Sequence, residues 1–560
     1  MSSDPHSFLA LDLGAATSSV SLIGRVGGHW RLVGHHAFPA DVPVDAVVGL
    51  LLERARAADP ELAAELGIEG ASAVDALPRL VARSAPASSL ALVTATERGL
   101  NALEAVAERT GWRLRSVSLE ISDPLEITGL LLDRDVSTVL IAADEPPGAD
   151  ERPRLTELAA LVAAASSRRP ELVVVLAGSL AEHANDFGTV REPSQDVDGS
   201  TATDGEVVQL TRVESTPAGE AVLAPSTSAG DPPGSALRAL LERLRAPDGD
   251  SRRGFVRATQ ALAEALDRRV EAIDVGLDGG IRVAASPGVA GETGTVVWGS
   301  SADAGLAPVE PDEAIVDGVL GWSTVPIDRH RMRDRLRELR LAPWSDAAGE
   351  GGPFRLAAAR AALRRLVNLT PDIDRLPAAD LLVVSGGAWA VAPGPAIALA
   401  IADVIRRPGV CQLAFDHARL MSPLGTIEDP GERRQMLREL SDDLLVPLGS
   451  VVMPQGLRAA RSGGRLVVHG VTGSTELDLV PGGLELVDLP PGESAVAEFE
   501  FRHTVRLGAR GRHFAIDVAG GLGGLLVDMR DVPLRLPDRA DRRQELLAAW
   551  QDALWAGSDA

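Results

Sequence analysis

Three glycine-bearing stretches of this chain carry residue types that can grip a phosphate. In the first, Phe8–Ile23 reads as an apolar strand with Asp12 near its end, a turn of small residues and a second alternating strand, which together make a hairpin. Gly14 has no Cβ to keep an anion from the backbone N–H groups, and Thr17 and Ser18 add hydroxyl donors to such a cradle. Asp12, beside it, is placed to hold a magnesium ion directly or through water. The bland alternative is a hairpin that needs a glycine and a strand end that carries a solvated aspartate. The second stretch, Ala272–Ala285, repeats this layout with Asp274, Gly276 and Gly279. In the third, the apolar run Leu381–Val384 ends in Ser385-Gly386-Gly387. Glycines at the C-terminal end of a strand leave room for a ligand against the backbone, or simply permit a tight turn into the following helix.

The elements that must position these turns follow from periodicity. Trp30–Phe38 reads as a third strand after the first hairpin, and Val44–Ala57 has helical spacing of apolar residues. Strands at Ser89–Thr94, Leu114–Leu119, Thr138–Ala142 and Leu172–Leu176 alternate with helices at Glu97–Arg109, Pro124–Leu132 and Leu155–Ser167, the pattern of α/β layers. From 188 to 234 the chain turns to Gly, Pro, Ser, Thr and Asp, as a linker or irregular insertion would, with a short edge strand expected at Glu206–Arg212. Helices resume at Ala236–Arg245 and Arg257–Arg269, and others are expected near Asp312–Val319, Arg329–Arg340, Ala357–Val367 and Gly394–Ile405. Between Val446 and Leu536 helical spacing gives way to short alternating segments, expected as a separate small β-barrel or sandwich. A final amphipathic helix is expected at Arg542–Leu554.

Composition narrows the partners. At 560 residues the chain exceeds one hydrophobic core, and its net charge of −24 disfavours a nucleic-acid backbone or an anionic membrane. All 55 basic residues are arginine, and there is no tyrosine, which removes a Schiff-base lysine, a P-loop lysine and a tyrosine acid or base. The single cysteine, Cys411, fits a reducing cytoplasm and a buried core thiol. Residues 1–6 lack a signal-peptide pattern and are expected as a loose tail, and no apolar run is long enough to span a bilayer.

The order Asp12–Ser18, Asp274–Gly280, Ser385–Gly387 resembles the actin/Hsp70/sugar-kinase ATPase superfamily, in which two phosphate hairpins and an adenosine glycine pair come from separate lobes. A closer likeness lies in Leu381–Pro393, Gly409–Gly425 and Leu445–Gly456, which look like the glutamate mutase-associated MutL/GlmL-type family, unrelated to DNA mismatch repair. The resemblance implies two actin-like, RNase H-like lobes around a cleft, to which the alternating C-terminal segments add a small all-β domain. The lobes are expected at 1–187 and 235–445, joined by 188–234, with the β domain at 446–537 and a helix and tail at 538–560. It also implies ATP and magnesium as ligands and an accessory or chaperone role toward an adenosylcobalamin-dependent mutase. Asp12, Gly14, Thr17 and Ser18 match the first phosphate hairpin, Asp274, Gly276 and Gly279 the second, and Gly386 and Gly387 the adenosine motif, with Asp12 at the metal. The second hairpin departs from the family pattern, since it has no hydroxyl residue and carries an extra acid, Asp278. An ATPase-fold accessory protein and a non-catalytic scaffold with a degenerate nucleotide site therefore both stand as readings. A small-molecule kinase has no sugar-site motif to support it. His35 and His36 lack partners at ligand spacing, and Asp416-His417 reads as structural hydrogen bonding rather than a catalytic dyad.

Overall fold

The computed structural model describes residues 6–555 apart from 71–72, 85–88, 108–109, 111, 143–148, 150, 170–171, 178–189, 192–206, 209–236, 238–239, 242–243, 245–249, 289–293, 344–350, 391, 458–462, 472 and 531. The expected linker 188–234 thus lies outside the described residues save for two short strands, as does most of the helix expected at 236–245. The fold is mixed α/β, in two compact units: Met1–Ser84 with Gly249–Gly299 and Asp303–Ala560, and Ala85–Asp248 with Ser300–Ala302.

The first unit opens with β1 (Ser7–Leu13), β2 (Thr17–Val26), β3 (His29–Pro39) and β4 (Arg79–Arg83), in the order β3-β2-β1-β4. Strand alternation gives this sheet two apolar faces. Leu9, Leu11, Val20 and Leu22 meet Val47, Val48, Leu51 and Leu52 of the helix Val44–Ala58. Phe8, Ala10, Ile23 and Trp30 on the other face join the core around the helix Ser251–Leu266.

The second unit is built on β5 (Ser89–Thr94), β6 (Arg113–Ser118), β7 (Val136–Ala142), β8 (Val173–Ala177), β9 (Val190–Arg191) and β10 (Val207–Val208), ordered β6-β5-β7-β8-β10-β9 with every described pairing parallel. Unbroken Val/Leu runs suit such a sheet, which is covered on both faces. The expected first lobe, 1–187, is divided between the units: β4 pairs in parallel with β1, whereas β5 begins the separate parallel sheet.

The rest of the first unit carries β11 (Val270–Val275), β12 (Gly280–Ala285), β13 (Val296–Ser301), β14 (Leu381–Ser385), β15 (Gly409–Phe415), β16 (Val446–Met453), β17 (Gly464–Gly470), β18 (Gly473–Leu479), β19 (Leu484–Val487), β20 (Ser494–Leu507), β21 (Ala509–Ala519) and β22 (Leu525–Asp528). Eight of them form one sheet, β13-β12-β11-β14-β15-β16-β22-β19. The stretch expected as a separate β domain is therefore shared: β16, β19 and β22 extend this long sheet, because their buried Val and Leu side chains need covering on both faces. No barrel forms among the described residues. Instead β18-β17-β20-β21 make an open antiparallel sheet, whose strand β20 alternates exposed and buried residues. Its buried face, including Leu466, Val468, Phe499 and Phe501, packs with Val452 and Val527 of the long sheet.

A buried ion-pair network ties the C-terminal end of this unit together. Arg530 donates to both Asp403 (2.6 Å) and Asp528 (2.7 and 2.9 Å), while Arg360 donates to Asp403 (2.6 Å) and Arg406 to Asp528. The Arg530 guanidinium also lies 4.5 Å from the ring centre of Trp550, on the helix Ala540–Trp555. No described helix is long and apolar enough to cross a membrane.

Candidate functional site

The three sequence motifs lie in the first unit and meet. In the β1–β2 hairpin Asp12 stands opposite Ser19 and Leu13 opposite Ser18. Strand alternation puts Thr17 and Ser19 on the face of Asp12 and sends Ser18 to the opposite face, with Leu13 and Phe38. The expected pair of hydroxyl donors is thus split, and only Thr17 shares the acid's side. Gly14 closes the turn, since a Cβ there would stand 2.3 Å from the Thr17 carbonyl oxygen.

Asp274 is the penultimate residue of β11, and Gly386 is set against it. Gly386 has φ +101°, and a Cβ there would stand 2.4 Å from the Val275 carbonyl oxygen and 2.7 Å from Asp274 Oδ1, so no other residue fits without strain. A Cβ on Gly387 would lie 3.0 Å from Thr17 Oγ1. The glycine pair therefore touches the second hairpin through Gly386 and the first through Gly387. The turn of the second hairpin is closed by Gly276 N–H donating to the Gly279 carbonyl (2.9 Å) and is covered by Leu306 N–H donating to the Gly276 carbonyl (2.9 Å). Asp278 does not stand as a free charge, because Arg340 pairs with it at 2.5 Å.

The residue that sequence reasoning missed is Arg419. Asp416, fully buried at the end of β15, accepts from Leu420 N–H (2.8 Å), Met421 N–H (3.2 Å) and Ser385 Oγ (3.0 Å). This clamp fixes a turn in which Arg419 takes φ +52°, a left-handed conformation rare for a long side chain. The guanidinium reaches across to the first hairpin: Nη1 donates to the Thr17 carbonyl (3.0 Å) and to Thr17 Oγ1 (2.6 Å), and it stands 3.6 Å from Asp12 Oδ2. Arg419 is 6 % exposed, and its Nη2 has no partner among the described residues. The only sequence trace was its place in the segment Gly409–Gly425, which also supplied Asp416.

Two buried acids, Asp12 and Asp274, feel this one guanidinium, and a third, Asp416, interacts by charge with both of them. Burial pushes Asp12 up to about 7, with Arg419 opposing and the charges of Asp274 and Asp416 adding to the rise. Asp274 rises to about 6 through burial against the pull of Arg419, and Asp416 rises to about 6 through burial despite its three donors. On the neighbouring face His35, in contact with Ser21 Oγ at 3.1 Å, falls to about 4 through burial and then the charges of His417, Arg419 and His36. Burial lowers His417 as well. A carboxyl whose folded pKa exceeds its unfolded value holds its proton better when folded, so its contribution to stability is lost as pH rises through the folded pKa. His35 acts in the opposite sense between about pH 4 and 6.5, and His417, also lowered, acts in the same direction as His35. Above that window Asp12 has the highest pKa of the three acids. The wild-type unfolding free energy should fall between pH 6.5 and 7.5, with a slope of at most about 1.4 kcal/mol per pH unit for one proton, and Asp12→Asn should flatten that fall. Equal slopes in parallel melts of the two proteins would remove Asp12 as the titrating group.

A resident magnesium does not fit these residues. Magnesium demands near-octahedral oxygen ligands at about 2.1 Å, whereas the Asp12 carboxylate faces a guanidinium that would repel a dication. Among the described residues no group of three His, Cys, Asp or Glu side chains could hold a metal ion.

No protein-family model matches the chain, and no curated protein matches it. Among solved structures, a nucleotide-free acetone carboxylase aligns at 11 % identity over 84 % of this chain and 81 % of that one, with a TM-score of 0.28. A chain of the PilM-PilN type IV pilus biogenesis complex aligns at 13 % identity over 79 % and 98 %, with a TM-score of 0.22. A glycerol dehydratase reactivase aligns at 12 % identity over 71 % and 95 %, with a TM-score of 0.21. Similarity at this level carries no argument about the chemistry of the site.

Proposed function

We propose that this chain is an accessory protein of the actin-like ATPase type, which holds a nucleotide and acts on a protein partner without turning the nucleotide over. The observation that supports it is convergence: the Asp12 turn, the Asp274 strand end and the Gly386-Gly387 turn share one buried floor around Arg419. Gly14, Gly276, Gly279 and Gly387 form a partly exposed backbone rim where phosphates can approach without a Cβ in the way. Ser18 supports the hairpin from its other face. The absence of turnover is supported by the second hairpin, which brings no hydroxyl and whose Asp278 is bound to Arg340. The likeness of residues 380–456 to the glutamate mutase-associated family points to an adenosylcobalamin-dependent mutase as the partner class.

A ligand that binds only the folded state stabilises it by about 2.7 kcal/mol at a hundredfold excess over its Kd. ATP should therefore raise the melting temperature of the full chain, with no phosphate released, and Gly387→Val, which crowds Thr17, should abolish the shift. The second reading, a scaffold without nucleotide, is favoured by the engagement of Thr17 Oγ1 and Asp12 by Arg419, and it requires no shift in the wild type. A shift that persists in Gly387→Val would contradict the proposed location.

A further inference from the structure

We propose that Arg419 is the resident cation of this site, so that it takes the phosphate groups of its ligand without a divalent metal. This rests on the nucleotide reading and deepens it. The guanidinium is a planar fork with five donors. Nη1 is spent on Thr17, while Nη2 is buried, charged and unpartnered among the described residues. A buried donor left without an acceptor costs the full desolvation of that group, and such an atom in a native fold calls for an ion or water to complete it. Asp12 stands at 3.6 Å, beyond hydrogen-bond range, so it does not use up the guanidinium's donors. The left-handed backbone at Arg419 is held by the two amides that Asp416 clamps, a local strain of the kind that fixes ligand-facing groups. The side chain is thus pre-set at the turn where the first hairpin would receive a phosphate, and it occupies the position beside Asp12 that a metal would otherwise fill. The partial protonation of Asp12 near neutral pH lowers the negative charge that an incoming anion meets. The ligand class is a phosphoanhydride, either nucleotide-borne or an inorganic polyphosphate, bound by charge-assisted hydrogen bonds.

Equilibrium dialysis of labelled ATP against the full chain tests this, in EDTA and in magnesium, with unlabelled tripolyphosphate and adenosine as competitors. The expected result is the same Kd in both buffers within about twofold, and a loss of about ten- to hundredfold in Arg419→Gln, the range for a hydrogen bond to a charged group. Arg419→Lys, which keeps the charge but not the fork, should retain part of the affinity and serves as the folded control if the glutamine variant melts early. Displacement by tripolyphosphate as well as ATP would assign the ligand to the polyphosphate class, and displacement by ATP alone would assign it to nucleotides. Displacement by adenosine alone would overturn the inference. Binding that needs magnesium and survives both Arg419 substitutions would overturn it while leaving the nucleotide reading intact. No ATP binding in either buffer would overturn both.

Discussion

Asp416→Ala is expected to destabilise the protein by about 3–5 kcal/mol in urea denaturation, because it strips three buried donors of their acceptor. The carboxyl is fully buried and accepts from two backbone amides and the Ser385 hydroxyl. Alanine leaves these donors without an acceptor, and each buried unpaired group costs about 1–3 kcal/mol. The same change releases the turn that carries Arg419. Asp416→Asn keeps one acceptor oxygen and should cost about 1–2 kcal/mol. If alanine and asparagine prove equally mild, Asp416 is not the clamp.

Asp403→Ala is expected to cost a similar amount, about 3–5 kcal/mol, for a different reason. Asp403 is 1 % exposed and receives Arg360 Nε and Arg530 Nη1, both at 2.6 Å. Its loss leaves two buried guanidiniums short of charge, and burial already depresses the Arg360 pKa. The network would pass that imbalance to Asp528 and Arg406, and through Arg530 to Trp550 on the last helix. A double-mutant cycle separates this from simple truncation: Arg360→Met together with Asp403→Ala should cost less than the two single changes added. Strict additivity would mean that the pair is not coupled.

The parts of the site legible in the sequence are those that depend on local pattern. Apolar alternation around Asp12 and Asp274, and the apolar run into Ser385-Gly386-Gly387, located the strands that end at the site, because period-two burial and close-approach glycines leave local traces. The opposite orientation of Ser18 also follows from that period, although the cluster of hydroxyls in the turn suggests a single cradle. Arg419 was not legible, since its contact with Thr17 spans 402 residues and its left-handed backbone is imposed by Asp416 rather than by residue type. For the same reason Asp278 read as an added charge, although Arg340, 62 residues on, pairs with it. Between 446 and 537 the alternation predicts strands, but which sheet each joins depends on edges supplied by β15 and β17, and no local pattern encodes that choice.

Calorimetric titration of ATP into the wild type and Gly387→Val tests the central claim most directly. One ATP per chain in the wild type and none in a folded Gly387→Val protein is the result expected if the two hairpins and the glycine turn form a single nucleotide floor. No binding heat in the wild type, or the same stoichiometry and affinity in both proteins, would contradict it.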